Sequence, residues 1–362
     1  MAAFKSMSQT NVGMFREINE DSYLDRADLG LFVIADGMGG HAAGEVASKK
    51  TVEIIEKEFE TQIETLIKNV QTNTSPTNEI VLTQLYQIVQ NACKEVFYHA
   101  QQNRACQGMG STTSLLWLHD TIGFIAHVGD SRVYLIRSGE LHQLTEDHTY
   151  VNEQIKKGIM TPEEAKRSPY ANVITRAMGV TESVEVDTFY FEILPGDKFL
   201  LCSDGLYNYF RNKEEIVELV SLEQDEEVAT KAISLANARG GKDNISVIVV
   251  KVSGDTVDEI TKHFEHRLNI IKEVIIFKNL TYKEMMLLLS MAEVKKYQKD
   301  ELIANEGEKG EDFGIILKGK VDIIKNNQLL VSLSKGQQFG EMTLIDHSPR
   351  SASVVAADEC EV

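Results

Sequence analysis

Four times in this chain a short apolar run meets a single aspartate set among glycine, serine or asparagine. Residues 29–36 read LGLFVIAD and run on into GMGGH, TIGFIAHVGDSR occupies 121–132, and KFLLCSDGL occupies 198–206. GKDNISVIVV, at 241–250, has the same parts with the aspartate before the run. Apolar runs of this length suit buried strands, and the small residues at their ends make tight turns. One such aspartate is ordinarily a turn or capping residue. Asp36, Asp130, Asp204 and Asp243 share one grammar, and if their strands lie side by side their carboxylates converge. A fifth piece, REINEDSYL (16–24), adds Arg16, Glu20 and Asp21.

Converged carboxylates cannot remain a bare anionic cluster. Two of them 4 Å apart repel by about 4 kcal/mol at an effective dielectric near 20. They protonate or they bind cations. The donors on offer are oxygens, with no Cys/His set at zinc spacing, so hard divalent ions, Mg²⁺ or Mn²⁺, fit best. Gly37 has no side chain, so its carbonyl can approach a cation closely. A competing reading takes GMGGHA (37–42) as G-x-G-x-x-A after a strand. A dinucleotide site would need a second strand ending in an acid about 20 residues on. Residues 45–70 instead read as one long helix. No GK[ST] follows the glycines, so a Walker-type loop is absent.

The pattern before residue 252 mixes helix and strand. Val46, Ile54, Phe59, Ile63 and Ile67 recur at roughly helical spacing. TNTSPTN (72–78) breaks that helix from a second one reaching about Asn103. Strand-like text follows, with turns at His119–Asp120 and Ser138–Gly139 that predict antiparallel hairpins. Residues 149–170 are polar with helix fragments. Strands at 184–193 and 198–202, helices at 213–220 and 225–238, and the strand 245–252 complete the unit. Antiparallel strands with helices grouped around them predict an α+β layered sandwich. Val257, Ile260, Phe264, Leu268 and Ile271 then mark one face of a connector helix over 253–273. Residues 274–362 open with a helix (TYKEMMLLLSMA) and turn into short glycine-punctuated strands, with KGK and KNNQ suited to hairpins.

Taken together, RxxNED, DGMGGHxxGExAS, GxGSTT, HVGDSR, TEDH, ITRAMG, SDGL and GxKDNxS resemble the bacterial branch of the metal-dependent type 2C serine/threonine protein phosphatases, over about residues 10–252. The resemblance implies a four-layer αββα sandwich and a dinuclear Mn/Mg centre. It implies that Asp36 bridges both metals, that Asp204 and Asp243 complete one shell, and that Glu20 and the Gly37 carbonyl hold the other. Asp130 and Asp204 would form a third, weaker site. Arg16 would clamp the substrate phosphate, with Asp21 and Asn244 as supports. One departure stands out: animal members carry a His directly after the metal-binding Asp-Gly, and here that position is Met38. His41 is nearby but offset. The segment 149–175 corresponds to the family's mobile flap. The expected reaction is direct hydrolysis of phosphoserine and phosphothreonine, and no Cys-x5-Arg nucleophile motif is present. The alternative is a non-catalytic adaptor that keeps the phosphatase fold as a scaffold.

FGEMTLIDHSPRSASV (339–354) has its own logic. Gly340 allows a tight turn, residues 341–345 can start a short helix whose N–H groups face an anion, and Arg350 adds a bidentate fork. With EGEKGEDFGIILKGKV, this stretch is similar to the cyclic-nucleotide-binding domain family. The resemblance implies that Glu341 takes the ribose 2′-OH. It also implies that Arg350 pairs with the cyclic phosphate, aided by backbone N–H groups around Met342 and Thr343. Ala after the arginine marks cyclic AMP sites and Thr cyclic GMP sites; here the residue is Ser351, and cyclic AMP is the favoured reading. The text stops at DECEV, inside what would be the last strand, so the family's C-terminal helix is not in this sequence. The expected domains are thus 1–252, a connector at 253–273, and a small β-roll with flanking helices at 274–362.

Composition bears on partners. The formal charge is −18, from 55 acidic against 37 basic residues. That argues against nucleic acid or an anionic membrane as a general partner; phosphorylated proteins and a cyclic nucleotide are the partners that the two resemblances imply. Cys93, Cys106, Cys202 and Cys360 show no pairing pattern. The N-terminus has no apolar signal core and no run approaches the roughly 20 residues of a membrane span. The expectation is a cytoplasmic protein.

Overall fold

The structure, a computed structural model, describes residues 4–39, 43–70, 75–222, 227–253, 259–310, 313–341 and 348–362. The chain divides into two compact units, Met1–Asp258 and Glu259–Val362.

In the first unit, strands β1 (Phe4–Asn11), β2 (Asp21–Arg26) and β3 (Leu31–Met38) precede helices α1 (Gly44–Val70) and α2 (Ser75–Gln102). Strands β4 (Gly110–Ser111), β5 (Thr113–His119), β6 (Ile122–Val128), β7 (Arg132–Arg137) and β8 (Glu140–Gln143) follow. Then come α3 (Tyr150–Lys156), α4 (Pro162–Arg167), β9 (Asp187–Glu192) and β10 (Lys198–Cys202). The unit closes with α5 (Asp204–Tyr207), α6 (Lys213–Val220), α7 (Val228–Ala238) and β11 (Ile245–Val252). One sheet has the order β1-β11-β10-β7-β8; the other runs β2-β3-β5-β6-β9, with β4 added to β3. All their ladders are antiparallel.

Each layer follows from the apolar pattern. α1 turns Ile55, Phe59 and Leu66, and α2 turns Leu85, Ile88, Val89 and Ala92, onto Val33, Leu115, Trp117 and Phe124 of the β2–β9 sheet. The Phe59 ring meets Trp117 edge-on at 5.4 Å. α6 and α7 cover the outer face of the other sheet through Ile216, Leu219, Ala232 and Ile233. The two sheets face each other: Phe191 on β9 and Phe199 on β10 lie 5.8 Å apart between ring centres. Each large side chain fully buried this way contributes about 1.5–3 kcal/mol. The result is helix, sheet, sheet, helix. The hairpin turns bend where the sequence places them, with positive φ at Asp120 (50°), Ser138 (51°) and Gly139 (80°).

Two strands left little trace in the text. β1 (FKSMSQTN) and β2 (DSYLDR) are edge strands, half exposed along much of their length, so they carry polar residues where a central strand would be apolar. β11 is the contrast, buried at seven of eight positions between β1 and β10.

The second unit holds α8 (Glu259–Glu273), α9 (Tyr282–Met291) and short strands β12 (Lys296–Tyr297), β13 (Leu302–Ala304), β14 (Gly314–Ile315), β15 (Lys320–Lys325), β16 (Gln328–Ser334), β17 (Gln338–Phe339), β18 (Ser353–Ala356) and β19 (Cys360–Glu361). The amphipathic α8 groups with this unit, with Phe264, Leu268 and Ile271 buried. α9 starts at a capping box in which Thr281 and Glu284 satisfy each other's backbone N–H groups. Strands pair as β13-β18-β15-β16, β12-β19 and β14-β17, around Ile316, Val321, Phe339, Val354 and Cys360. The KNNQ turn joins β15 to β16 with Asn326 and Asn327 both at positive φ, 49° and 63°, as a two-residue hairpin requires. Among the described residues, no helix is long and apolar enough to cross a membrane.

Candidate metal centre

Strand register carries the acidic residues to one end of the sandwich. Asp21 opens β2 directly opposite Asp36 on β3. Cys202, the last residue of β10, pairs with Arg132, the first of β7, and with Val247 near the start of β11. Asp204 therefore follows its strand, and Asp130 and Asp243 precede theirs, at the same sheet edge. β1 ends at Asn11 opposite Ile245, so the chain leaves the sheet beside Asp243 and arches over through Arg16 and Glu20.

The junction between Glu20, Gly37 and the start of α1 is too tight for side chains. Gly37 N donates to Glu20 O at 3.0 Å. A Cβ on Gly37 would stand 2.1 Å from Gly44 O and 2.5 Å from Glu20 O, and one on Gly44 would stand 2.3 Å from Glu20 Oε1. Asn244 ties this region together: its Oδ1 accepts from Glu20 N at 2.9 Å, and its Nδ2 donates to Val12 O and Ile18 O, each at 3.0 Å. Arg16 Nη2 donates to Asp243 Oδ2 at 2.8 Å, and Arg16 Nη1 lies 3.9 Å from Glu20 Oε2.

Burial and mutual repulsion hold the acids away from their ordinary ionisation. Burial, then the charges of Asp21, Asp204, Asp130 and Asp243, push the Asp36 carboxyl well above the usual range. Asp130 is pushed up to about 7 by burial and then by Asp204 and Asp147. Asp204 rises to about 6 by burial and then by Asp243, against the pull of Arg16. Asp21 rises to about 7 through burial, although Ser203 Oγ donates to its Oδ2 at 2.8 Å. Its Oδ1 finds no hydrogen-bond partner among the described residues. Burial raises Glu20 as well. Among the described residues no three His, Cys, Asp or Glu side chains already stand as a set that could hold one ion. The acids share a field, with Asp243 drawn to Arg16 and Asp21 to Ser203. The donor chemistry nonetheless fits Mn²⁺ or Mg²⁺: the donors are oxygens, Asp21 and Asp130 are buried with the others partly buried beside them, and a divalent cation is what lets such acids ionise together.

Several residues at the site escaped the sequence reading. Thr112 Oγ1 accepts from Asp36 N at 2.9 Å and shares a 2.8 Å hydrogen bond with Ser131 Oγ, so it links the Asp36 and Asp130 turns. Ser203 Oγ accepts from Ser246 N at 3.0 Å while holding Asp21, linking the Asp204 and Asp243 strands. His148 Nδ1 accepts from Gly129 N at 3.1 Å, and its Nε2 faces Arg176 and Asp187 at 3.1 and 3.3 Å. The Asp130 turn is thereby fixed to the segment that carries α3 and α4. Arg132 grips Asp147 through two nitrogens, the shortest contact being 2.6 Å, and lies 3.6 Å over the Tyr207 ring. The signal was present in GSTT, HVGDSR, SDGL and KDNIS, where each small hydroxyl residue read only as part of a turn or a strand. His41 falls outside the described residues.

In the second unit, Gly340 takes φ +83° as the turn requires, and Glu341 follows it half buried. Met342, Thr343 and most of the short helix expected over 341–345 fall outside the described residues. Arg350 is half buried; its N donates to Glu308 O at 2.8 Å, and its O accepts from Gly307 N at 2.8 Å. A Cβ on Gly310 would stand 2.7 Å from the guanidinium carbon of Arg350, so the 305–310 turn closes over that side chain. Ser351 is exposed.

Residues 16–232 match the protein phosphatase 2C family model, and residues 294–362 match the cyclic nucleotide-binding domain model. The serine/threonine phosphatase Stp of Listeria monocytogenes is 36% identical over 246 residues, covering 67% of this chain and 94% of that protein. Protein phosphatase PhpP of Streptococcus pneumoniae is 37% identical over 256 residues, covering 69% and 98%. The crystal structure of Mycobacterium tuberculosis PstP/Ppp superposes with a TM-score of 0.59 at 32% identity, covering 70% of this chain and all of that one. A structure of the PstP catalytic domain with two manganese ions gives the same values. The chain belongs to the protein phosphatase 2C family and is a serine/threonine protein phosphatase of the Mn/Mg-dependent type. Its particular form joins that catalytic unit to a C-terminal cyclic nucleotide-binding domain.

Proposed function

We propose that this phosphatase hydrolyses phosphoserine and phosphothreonine at the acidic edge of the sandwich and that a cyclic nucleotide, cyclic AMP by preference, tunes the rate. The convergence of Asp36, Asp130, Asp204, Asp243 and Glu20 from five separate segments carries the catalytic part. Asp36 would contact both ions, Asp204 and Asp243 would complete one shell, and Glu20 with the Gly37 carbonyl would hold the other. Asp130 and Asp204 would serve a third ion. Bound there, the ions supply an acidified water and offset charge on the phosphoryl oxygens. Arg16 turns its fork from Asp243 to the substrate phosphate and orients it for in-line attack. Asn244 keeps the Arg16 loop in place, while Asp21 and Thr112 brace Asp36 on its two sides. No covalent enzyme intermediate is required.

The regulatory part rests on the nucleotide-binding family match and on the Gly340 and Arg350 geometry. Arg350 pairs with the cyclic phosphate and Glu341 with the ribose hydroxyl, while Ser351 stands beside the base. Substrates are phosphorylated proteins, met in the cytoplasm. One assay tests both parts: phosphate release from a phosphoserine peptide by the full chain, with Mn²⁺, with chelator, and with cyclic AMP or cyclic GMP. Release that persists in chelator refutes the metal site. A rate indifferent to both nucleotides at saturation refutes regulation.

A further inference from the structure

Arg16 is bracketed by large apolar side chains that face water. Met14 is 66% exposed, Phe15 72% and Ile18 59%. Single apolar residues scattered on a surface are ordinary, but three within five positions beside an acidic cluster form a patch.

The loop that carries them is held on every side. Asn244 Nδ2 fixes it at Val12 O and Ile18 O, and Asn244 Oδ1 fixes Glu20 N. Met14 N donates to Gly241 O at 2.7 Å, and Asn19 Nδ2 donates to Thr10 Oγ1 at 2.8 Å. Gly13 sits at φ +81°, where a Cβ would stand 2.2 Å from Asp243 O. The backbone therefore sets where the side chains go. Arg16 reaches across to Asp243, and Met14, Phe15 and Ile18 are left facing water. A flexible loop could fold such groups away from water; this one is pinned by the same residues that surround the acids.

We propose that Met14, Phe15 and Ile18 form an apolar rim that binds the substrate chain next to its phosphorylated residue, so that the enzyme prefers phosphoserine or phosphothreonine with apolar flanking residues. The inference rests on Arg16 as the phosphate contact. A phosphate on that guanidinium places the neighbouring residues of an extended substrate, about 3.3–3.6 Å apart along the chain, beside the loop. Apolar side chains there displace water from Phe15 and Ile18 and add binding energy that a small phosphate ester cannot use. The net charge of −18 and the acid cluster inside the rim disfavour acidic flanks.

The test uses the full chain in Mn²⁺ with three substrates: para-nitrophenyl phosphate, and two phosphoserine peptides identical except for leucines or serines on either side of the phosphoserine. The wild type is expected to favour the leucine peptide by about tenfold in kcat/KM. Phe15→Ser should cut that preference to about threefold, chiefly through KM, and Phe15→Ser with Ile18→Ser should bring it near one. Phe15→Leu should keep most of it. A wild-type ratio near one, or a ratio unchanged in the double variant, overturns the rim while aryl phosphate turnover leaves the catalytic site standing. Absence of aryl phosphate turnover by the wild type overturns the catalytic reading itself, and the rim with it. A double variant whose turnover of all three substrates changes by one common factor shows the patch packing on the protein's own chain, and that also overturns the proposal.

Discussion

At the scale of single residues, the site is defined as much by missing side chains as by carboxylates. Gly37 lies where a Cβ would meet the carbonyls of Gly44 and Glu20. Gly37→Ala must push β3 away from the start of α1, and a shift of that order at a reacting centre costs about 10²-fold in rate. Steady-state kcat on a phosphopeptide, with circular dichroism to verify folding, checks this. Asp204 is raised by the charge of Asp243 and in turn raises Asp130. Asp204→Ala should abolish phosphate release in Mn²⁺; wild-type turnover in that variant would remove the metal assignment. The raised acids also give the cation a pH-dependent effect on stability. Asp21 and Asp130 at about 7 and Asp204 at about 6 hold protons in the fold that the unfolded chain gives up near pH 4. Without cation, stability falls as pH rises from about 4 through about 7, and the penalty is complete above that. Held by the proposed ligands, Mn²⁺ would compete with those protons, so it should raise the melting temperature more at about pH 8 than at about pH 5, as thermal denaturation can show.

At the scale of elements, β-sheet register does the assembling. The pairing of Asp21 with Asp36, and of Cys202 with both Arg132 and Val247, brings segments far apart in sequence to one edge. The opposite end of the β7–β10 ladder is fixed by a buried ion pair. Arg137 Nε and Nη2 reach Asp197 at 2.8 and 2.6 Å, and Asp197 also accepts from Leu194 N at 2.8 Å. Both side chains are nearly inaccessible, and burial raises the Asp197 carboxyl despite its partner. Removing one charge strands the other, so Asp197→Ala should cost about 3–5 kcal/mol by urea denaturation, and Arg137→Met with Asp197→Leu should recover much of it. The elements hardest to read in the text were β1 and β2. An edge strand buries one side and half of another, so it lacks both the continuous apolar run and a clean alternation.

At the scale of the whole molecule, a catalytic unit and a ligand-binding unit share one chain, and the regulatory proposal is a statement about free energy passing between them. A ligand shifts the phosphatase only if it binds its active and inactive forms with different affinities. In that proposal Arg350 would supply the charged contact, worth about 1.5–3 kcal/mol. Arg350→Ala should therefore weaken cyclic AMP binding at least about tenfold by calorimetry. In the same variant, any effect of cyclic AMP on phosphate release should move to correspondingly higher concentration. Equal affinity in the variant would dismiss the pocket.

What the sequence determined alone was the kind of chemistry. Oxygen donors at strand ends, glycines beside them and no zinc-spaced Cys/His set are properties of residue type and order, so a hard divalent cation was legible in Asp36, Asp130, Asp204 and Asp243, and the layered α+β fold in the hairpin-linked strands with helices around them. Periodicity likewise gave α1, α2, β5 to β7 and β11, because burial on one face or two leaves a repeating apolar mark. The tertiary structure decided what joins them. Thr112 bridging two aspartate turns, Asn244 pinning a loop more than 200 residues away, and His148 tying the Asp130 turn to Arg176 and Asp187 are contacts between positions remote in sequence. A threonine or asparagine has the same local preferences at a solvated turn and at such a junction. Only the packed chain, by excluding water from these groups, makes each hydrogen bond obligatory and so gives the residue its role.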